Sequence, residues 1–162
     1  MHAVITGAND GIGLETAKGL AKLGYNQTWL CRNLDKANKA SKDILLRFPV
    51  LSINIIQVDL ASLASVRNAA LQVIALEQEI DVLLCNAGGT FSHYTLTEDG
   101  VEKTMAVNHL SHFLLCHLLL EHLNPKARIV HVSSRANLKG ELSLEALEKC
   151  SAESNPRYYI MA

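Results

Sequence analysis

Three glycines near the start of the chain constrain its fold more than any other feature. They lie in Thr6-Gly7-Ala8-Asn9-Asp10-Gly11-Ile12-Gly13, after the apolar run Ala3-Val4-Ile5 and at the opening of a helical pattern, Ile12 to Leu23. A helix that starts directly from a strand leaves its first N–H groups unpaired and turns the positive end of its dipole outward. That arrangement suits a phosphate. Gly7 permits the tight turn, Gly11 lets the backbone approach the phosphates, and Gly13 lets the helix sit close to the strand. The spacing is Gly-x3-Gly-x-Gly, not the commoner Gly-x-Gly-x2-Gly. The residues from Gly7 through Ala8, Asn9, Asp10, Gly11 and Ile12 to Gly13 are therefore expected to cradle the pyrophosphate of a dinucleotide. A generic tight turn would also use glycines, so other positions must decide.

Downstream, apolar runs alternate with helical patterns. The strand candidates are Ala3 to Ile5, Thr28 to Cys31, Ile53 to Val58, Val82 to Cys85 and Arg128 to Val132. They are apolar on successive residues, as strands buried on both faces of a parallel sheet are. Between them lie helical stretches at Ile12 to Leu23, Lys36 to Arg47, Leu63 to Glu77 and Glu98 to His122. This alternation predicts repeated right-handed βαβ units and a doubly wound, mostly parallel α/β sheet of the Rossmann type with five strands. The 162 residues suit one domain, 1–162, with no internal boundary. Thr95-Leu96-Thr97-Glu98 reads as the opening of the last helix. That helix is apolar nearly all round at Phe113 to Leu120, so it needs a second partner besides the sheet. Another helix of the chain or another subunit would serve, and a homodimer through Glu98 to His122 is one expectation.

At the end of the second strand stands Cys31-Arg32-Asn33. A dinucleotide fold places the adenine ribose here, where an acid favours NAD and an arginine the 2′-phosphate of NADP. No acid occurs before Asp35, and Arg32 is permanently charged and multidentate. NADP(H) is thus expected in preference to NAD(H), although an arginine at a helix start can also be merely exposed.

Composition removes other classes. A net charge of −1 gives no electrostatic case for nucleic acid or an anionic membrane. Apolar runs are too short or too interrupted to span a bilayer, and no secretory leader is read at Met1. The four cysteines, Cys31, Cys85, Cys116 and Cys150, have no paired spacing and read as reduced thiols of an intracellular, cytoplasmic protein. Asn26-Gln27-Thr28 matches a glycosylation sequon at the edge of an apolar strand and is read as a chance match. His109 and His112 are one turn apart, but no cysteine or carboxylate completes a metal site at matching spacing, so none is expected. A Gly-x-Ser-x-Gly hydrolase elbow is absent.

The ordered set Thr6-Gly-x3-Gly-Ile-Gly, Asp59-Leu60, Asn86-Ala87-Gly88, Val107-Asn108-His109-Leu110-Ser111-His112-Phe113 and Val132-Ser133-Ser134 resembles the short-chain dehydrogenase/reductase superfamily. Cys31-Arg32-Asn33, Val58-Asp59-Leu60-Ala61-Ser62-Leu63 and Leu96-Thr97-Glu98-Asp99-Gly100 are similar to its retinol dehydrogenase and WW-domain oxidoreductase branch. The resemblance implies that Arg32 meets the 2′-phosphate and that Asp59 and Leu60 hold the adenine. It places Asn86, Ala87 and Gly88 on the ribose side of the cofactor. Cys85 stands where family members often carry a further asparagine.

The same resemblance implies hydride transfer between nicotinamide and a small lipophilic alcohol or carbonyl substrate. Ser134 would hydrogen-bond the substrate oxygen, and Asn108 would support a water linked to a catalytic lysine. The family's proton is moved by a tyrosine whose pKa a lysine four residues later lowers. None of Tyr25, Tyr94, Tyr158 and Tyr159 is followed by such a lysine. The stretch Tyr158 to Ala162 resembles the residues just before that tyrosine, so a C-terminally incomplete chain is expected. Two functions follow. One is the cofactor-binding part of an NADP(H)-dependent oxidoreductase. The other is an inactive truncated or splice form that binds nucleotide or a partner subunit.

Overall fold

The apolar runs become strands, the central three buried along most of their length and the last, expected to be buried on both faces, largely exposed. The computed structural model describes residues 1–91 and 93–134. Its strands are β1 (His2–Thr6), β2 (Asn26–Cys31), β3 (Ile53–Gln57), β4 (Ile80–Cys85) and β5 (Leu123–His131). They form one sheet in the order β3-β2-β1-β4-β5, with every neighbouring pair parallel. The expected doubly wound architecture is what the chain adopts.

Alternation along β1 divides the core. Ala3 and Ile5 face one side with Trp29 and Leu84, under Ala17 and Ala21 of α1 (Gly11–Lys22) and Ala37 and Ile44 of α2 (Leu34–Leu45). Val4 faces the other side with Leu30 and Leu83. There it meets Val66, Ala69 and Val73 of α3 (Leu63–Ile74) and Leu115 and Leu119 of α5 (Ser111–Leu119). Small alanines on α1 and α3 let those helices lie close to the sheet. Polar residues start the helices: Asn33 accepts from Lys36 N at 2.9 Å for α2, and Ser62 accepts from Ser65 N at 3.2 Å for α3.

The chain winds from β1 through β2 to β3 on one side, then continues through β4 to β5 on the other. The carboxyl ends of β1 and β4 therefore flank a reversal of strand order, where open α/β sheets form their ligand crevice.

Helical structure does not begin at Glu98, as the capping pattern suggested. Gly100 takes a φ of 73°, and the segment folds back on itself through a Leu96–Glu102 bridge and Thr97 N–H donating to Val101 O at 2.8 Å. Glu102 caps the helix instead, accepting from Thr104 N and Met105 N at 2.9 and 2.8 Å. Glu98 and Asp99 serve another helix. Glu98 accepts from Ser62 Oγ, and Asp99 accepts from Leu63 N at 2.9 Å, at the start of α3. Carboxylates placed for one N-terminus are thus used at a different one.

The helical rod then runs through α4 (Lys103–Met105), a π-helical segment (Ala106–Leu110), α5, and a short 3-10 turn at Leu120–His122. One face of α5 packs on α3, with Leu115 and Leu119 fully enclosed. Phe113 lies on another face and is 65% exposed. β5 starts earlier than expected, at Leu123, with an irregular register between Ile80 and Val82 of its partner and Pro125 inside its first turn of pairing. Cys150 and the stretch Tyr158 to Ala162 lie outside the described residues. Among the described residues, no helix is long and apolar enough to cross a membrane.

Candidate functional site

The glycine turn closes on β4 through contacts that leave no room for side chains. A Cβ on Gly13 would lie 2.3 Å from Gly7 O and 2.5 Å from the Asn86 side-chain nitrogen. Gly7 has a φ of 68°, and a Cβ there would stand 3.0 Å from that of Ala87. Gly11 has a φ of 49° with open space around it. Its demand is conformational, whereas that of Gly13 is steric. Ala8 is fully enclosed behind the turn. Asp10 caps α1 by accepting from Gly11 N at 2.9 Å and forms an exposed ion pair with Lys36. The Lys36 ammonium, followed by the Gly11 amide, holds the Asp10 carboxyl below its ordinary range.

Thr6 is the hub between the two strand ends. Its hydroxyl oxygen accepts from the backbone of Asn86 at 2.9 Å and of Ala87 at 3.0 Å. The Asn86 amide group donates to Thr6 O at 3.0 Å, tying β4 back to the turn. The Thr6 hydroxyl also lies 3.0 Å from His112 Nε2. His112 Nδ1 stands 3.2 Å from Asn108 O, and a carbonyl only accepts. The neutral ring therefore carries its proton on Nδ1, and Thr6 donates to Nε2. Burial pushes the His112 pKa below its ordinary value, which favours this neutral form.

The π-helical segment explains why Asn108 O is available. Ser111 N–H reaches back to Ala106 O, five residues earlier, and displaces the next carbonyls from the regular ladder. Ser111 Oγ then donates to Val107 O at 2.8 Å, and His112 takes Asn108 O. The Asn108 side chain faces the loop after β4. It accepts from Gly89 N and donates to Gly89 O, both at 3.0 Å. Asn108 thus clamps the backbone that follows Asn86-Ala87-Gly88.

Two adjoining cavities result. The first, about 710 Å3, is lined by Gly7, Asn9 to Ile12, Arg32, Asp59, Leu60 and Asn86 to Gly88. It brings together all the expected cofactor residues except Ala8 and Gly13, which lie behind its wall. The second, about 750 Å3, shares Ile12 and Asn86 to Gly89 and adds Asn108, Ser133 and Ser134. Both expected catalytic residues thus face one cavity that opens beside the first. Asp59 is partly engaged within its own loop, where Oδ1 accepts from Ala61 N at 2.9 Å.

Sequence reasoning missed Lys36, which lines the first cavity beside Arg32. Its position just inside α2, four residues after Arg32, was the available signal. It also missed His112 as a structural link and the cluster of Cys85, Cys116 and His131 on the second cavity. His109 and His112 do not form a pair for a metal, because both nitrogens of His112 are occupied by Thr6 and Asn108.

A family model described as short chain dehydrogenase matches residues 1–146. Human retinol dehydrogenase 13 is 42% identical over 146 residues, which cover 89% of this chain and 44% of that protein. The WW domain-containing oxidoreductase of Gallus gallus is 43% identical over 136 residues, covering 83% of this chain and 33% of that protein. The chain thus spans less than half the length of these relatives. Among solved structures, an uncharacterized protein from Mycobacterium paratuberculosis superposes with a TM-score of 0.84 at 36% identity, over 99% of this chain and 56% of that one. RhlG of Pseudomonas aeruginosa, in an active-site complex with NADP, gives a TM-score of 0.74 at 25% identity over 98% of this chain and 59% of that one.

Proposed function

The chain belongs to the short-chain dehydrogenase family, in its retinol dehydrogenase-like branch, and on that premise we propose that it forms the NADP(H)-binding part of an oxidoreductase. The observation that carries this reading is the single cavity joining the glycine turn, Arg32, Asp59 and Asn86 at the β1–β4 reversal. The residues fit a dinucleotide. The turn admits no side chain at Gly13, and two cations, Arg32 and Lys36, line the cavity at the end of β2.

In this reading the turn from Gly7 to Gly13 holds the pyrophosphate with backbone N–H groups. Arg32 and Lys36 recognise the 2′-phosphate, which distinguishes NADP from NAD. Lys36 would exchange its contact with Asp10 for that phosphate. Asp59 and Leu60 border the adenine, and Asn86 to Gly88 border the ribose. The nicotinamide, when bound, supplies or accepts hydride.

Ser134 orients the oxygen of a small lipophilic alcohol or carbonyl in the second cavity. Asn108 fixes the loop between the cavities through Gly89. No tyrosine of these 162 residues is followed four positions later by lysine, the pair that the family's proton transfer uses.

The test is calorimetric titration of the chain with NADPH and with NADH. Binding of NADPH in preference to NADH is expected. No binding of either nucleotide would sink the proposal. Binding without turnover on a carbonyl panel would favour the second reading, a nucleotide-binding form without catalysis, for which the missing Tyr-x3-Lys pair argues. Turnover regained when a C-terminal segment carrying a Tyr-x3-Lys pair is joined to the chain would favour the enzyme.

A further inference from the structure

Cys85 and His131 are direct neighbours in the parallel register of β4 and β5. Cys85 shares its sheet face with Leu83, the face that α5 covers, and Cys116 on α5 approaches from above. The Cys85 and Cys116 sulfurs are 3.6 Å apart, and Cys116 Sγ lies 3.9 Å from His131 Nε2. All three ligand atoms fall within 4.8 Å of one another.

We propose that Cys85 Sγ, Cys116 Sγ and His131 Nε2 form a three-ligand site for a thiophilic divalent ion, Zn2+ by preference, with its fourth position open to the second cavity. The edges of the cluster carry the argument. Tetrahedral zinc with bonds of about 2.3 Å to sulfur holds two thiolates about 3.8 Å apart. The separation between the two sulfurs already matches this, the Cys116–His131 contact needs only a small contraction, and the third edge, from Cys85 Sγ to His131 Nε2 within 4.8 Å, closes by rotation of the exposed imidazole.

The donor chemistry agrees. The donor set, two thiols and an imidazole, is one that zinc takes. Binding releases both thiol protons to solvent. His131 coordinates as the neutral ring. Burial falls off from Cys85 through Cys116 to His131, which gives the ion a way in from the cavity. The ion would cross-link β4, α5 and β5 two residues before Ser133, at the wall of the second cavity.

Neither the glycine turn nor nucleotide binding enters this proposal, so it stands or falls separately. The experiment is titration of the metal-free 162-residue chain with Co2+ under a phosphine reductant. Sulfur-to-cobalt charge-transfer absorption and the visible bands of a tetrahedral ion are expected, saturating at one ion per chain and abolished by Zn2+. Cys116→Ser should weaken binding more than about 100-fold, beyond what loss of a supporting contact costs. His131→Gln, at an exposed position, should keep the far-ultraviolet circular dichroism and lose the tetrahedral spectrum. Cys150→Ser should leave the spectrum unchanged. Absence of a tetrahedral spectrum in the reduced chain would overturn the proposal. So would a spectrum that survives both the Cys116 and His131 substitutions.

Discussion

The ring of His112 and the hydroxyl of Thr6 meet at 3.0 Å across 106 residues of sequence, joining the helix that carries Asn108 to the strand that carries the glycine turn. In the neutral ring every polar atom of this link has a partner. Protonation of His112 would turn Nε2 into a donor and aim it at an oxygen that already accepts two N–H groups.

A pH dependence follows from that geometry. Burial holds the His112 pKa below 6.5 in the folded chain, and His2 is lowered in the same direction by its own burial. The unfolded chain therefore binds more protons between each folded pKa and 6.5. The contribution is fully present above 6.5 and is lost as pH falls through the window below it. The melting temperature should drop on acidification below 6.5. His112→Gln should flatten part of that drop while lowering stability near neutrality. A melting temperature independent of pH in this window would contradict the assignment.

Gly13→Ala should be the most damaging change in the turn. Its Cβ would sit 2.3 Å from Gly7 O, a backbone atom that cannot swing aside. Overpacking of this kind costs about 1–3 kcal/mol or more. Gly11→Ala meets open space but must hold a φ of 49°, at a cost of about 1–2 kcal/mol. Thermal melts should rank the two in that order, and equal stability would refute the close packing of α1 on the β1 turn.

Arg32→Ala should separate the two nucleotides. Loss of a charge-assisted contact costs about 1.5–3 kcal/mol, which is roughly tenfold or more in affinity. NADPH binding should weaken by that factor while NADH binding changes little. Lys36→Ala should act in the same direction, since Lys36 lines the same cavity. A parallel loss for both nucleotides would remove Arg32 from 2′-phosphate recognition.

Asn108→Ala should loosen the loop after β4, because both hydrogen bonds to Gly89 disappear together. Each is worth about 1 kcal/mol. Hydrogen exchange at the Gly89 amide should accelerate, whereas exchange in β1 and β2 should not. Unchanged protection at Gly89 would argue that the clamp is absent in solution.

Much of this was legible in the chain. Ala3 to Ile5 and Val82 to Cys85 are continuously apolar, and only central strands of a covered sheet tolerate that. The residues that line the first cavity were legible because chemistry restricts them: glycine where no Cβ fits, a cation where the second strand ends. Glu98 misled because an acid after Thr-x-Thr opens a helix and also fits a turn that Gly100 can complete. The π-helical segment left no periodic signal, because the stretch that follows it, Phe113 to Leu120, is apolar nearly all round and has no polar face whose shift would show. The meeting of Cys85, Cys116 and His131 depends on the β4–β5 register and on the seating of α5. No spacing rule along the chain encodes such a convergence.

The long reach of the Thr6–His112 contact also sets an order of events during synthesis. The glycine turn leaves the ribosome early, whereas the ring that secures it follows 106 residues later. At about 5–20 residues per second, that interval is roughly 5–20 s. Through that time Thr6 has neither His112 nor, at first, the amides of Asn86 and Ala87. A nascent chain would therefore acquire its glycine turn in an unsecured form, and the turn would become rigid only once the helix bearing His112 has docked.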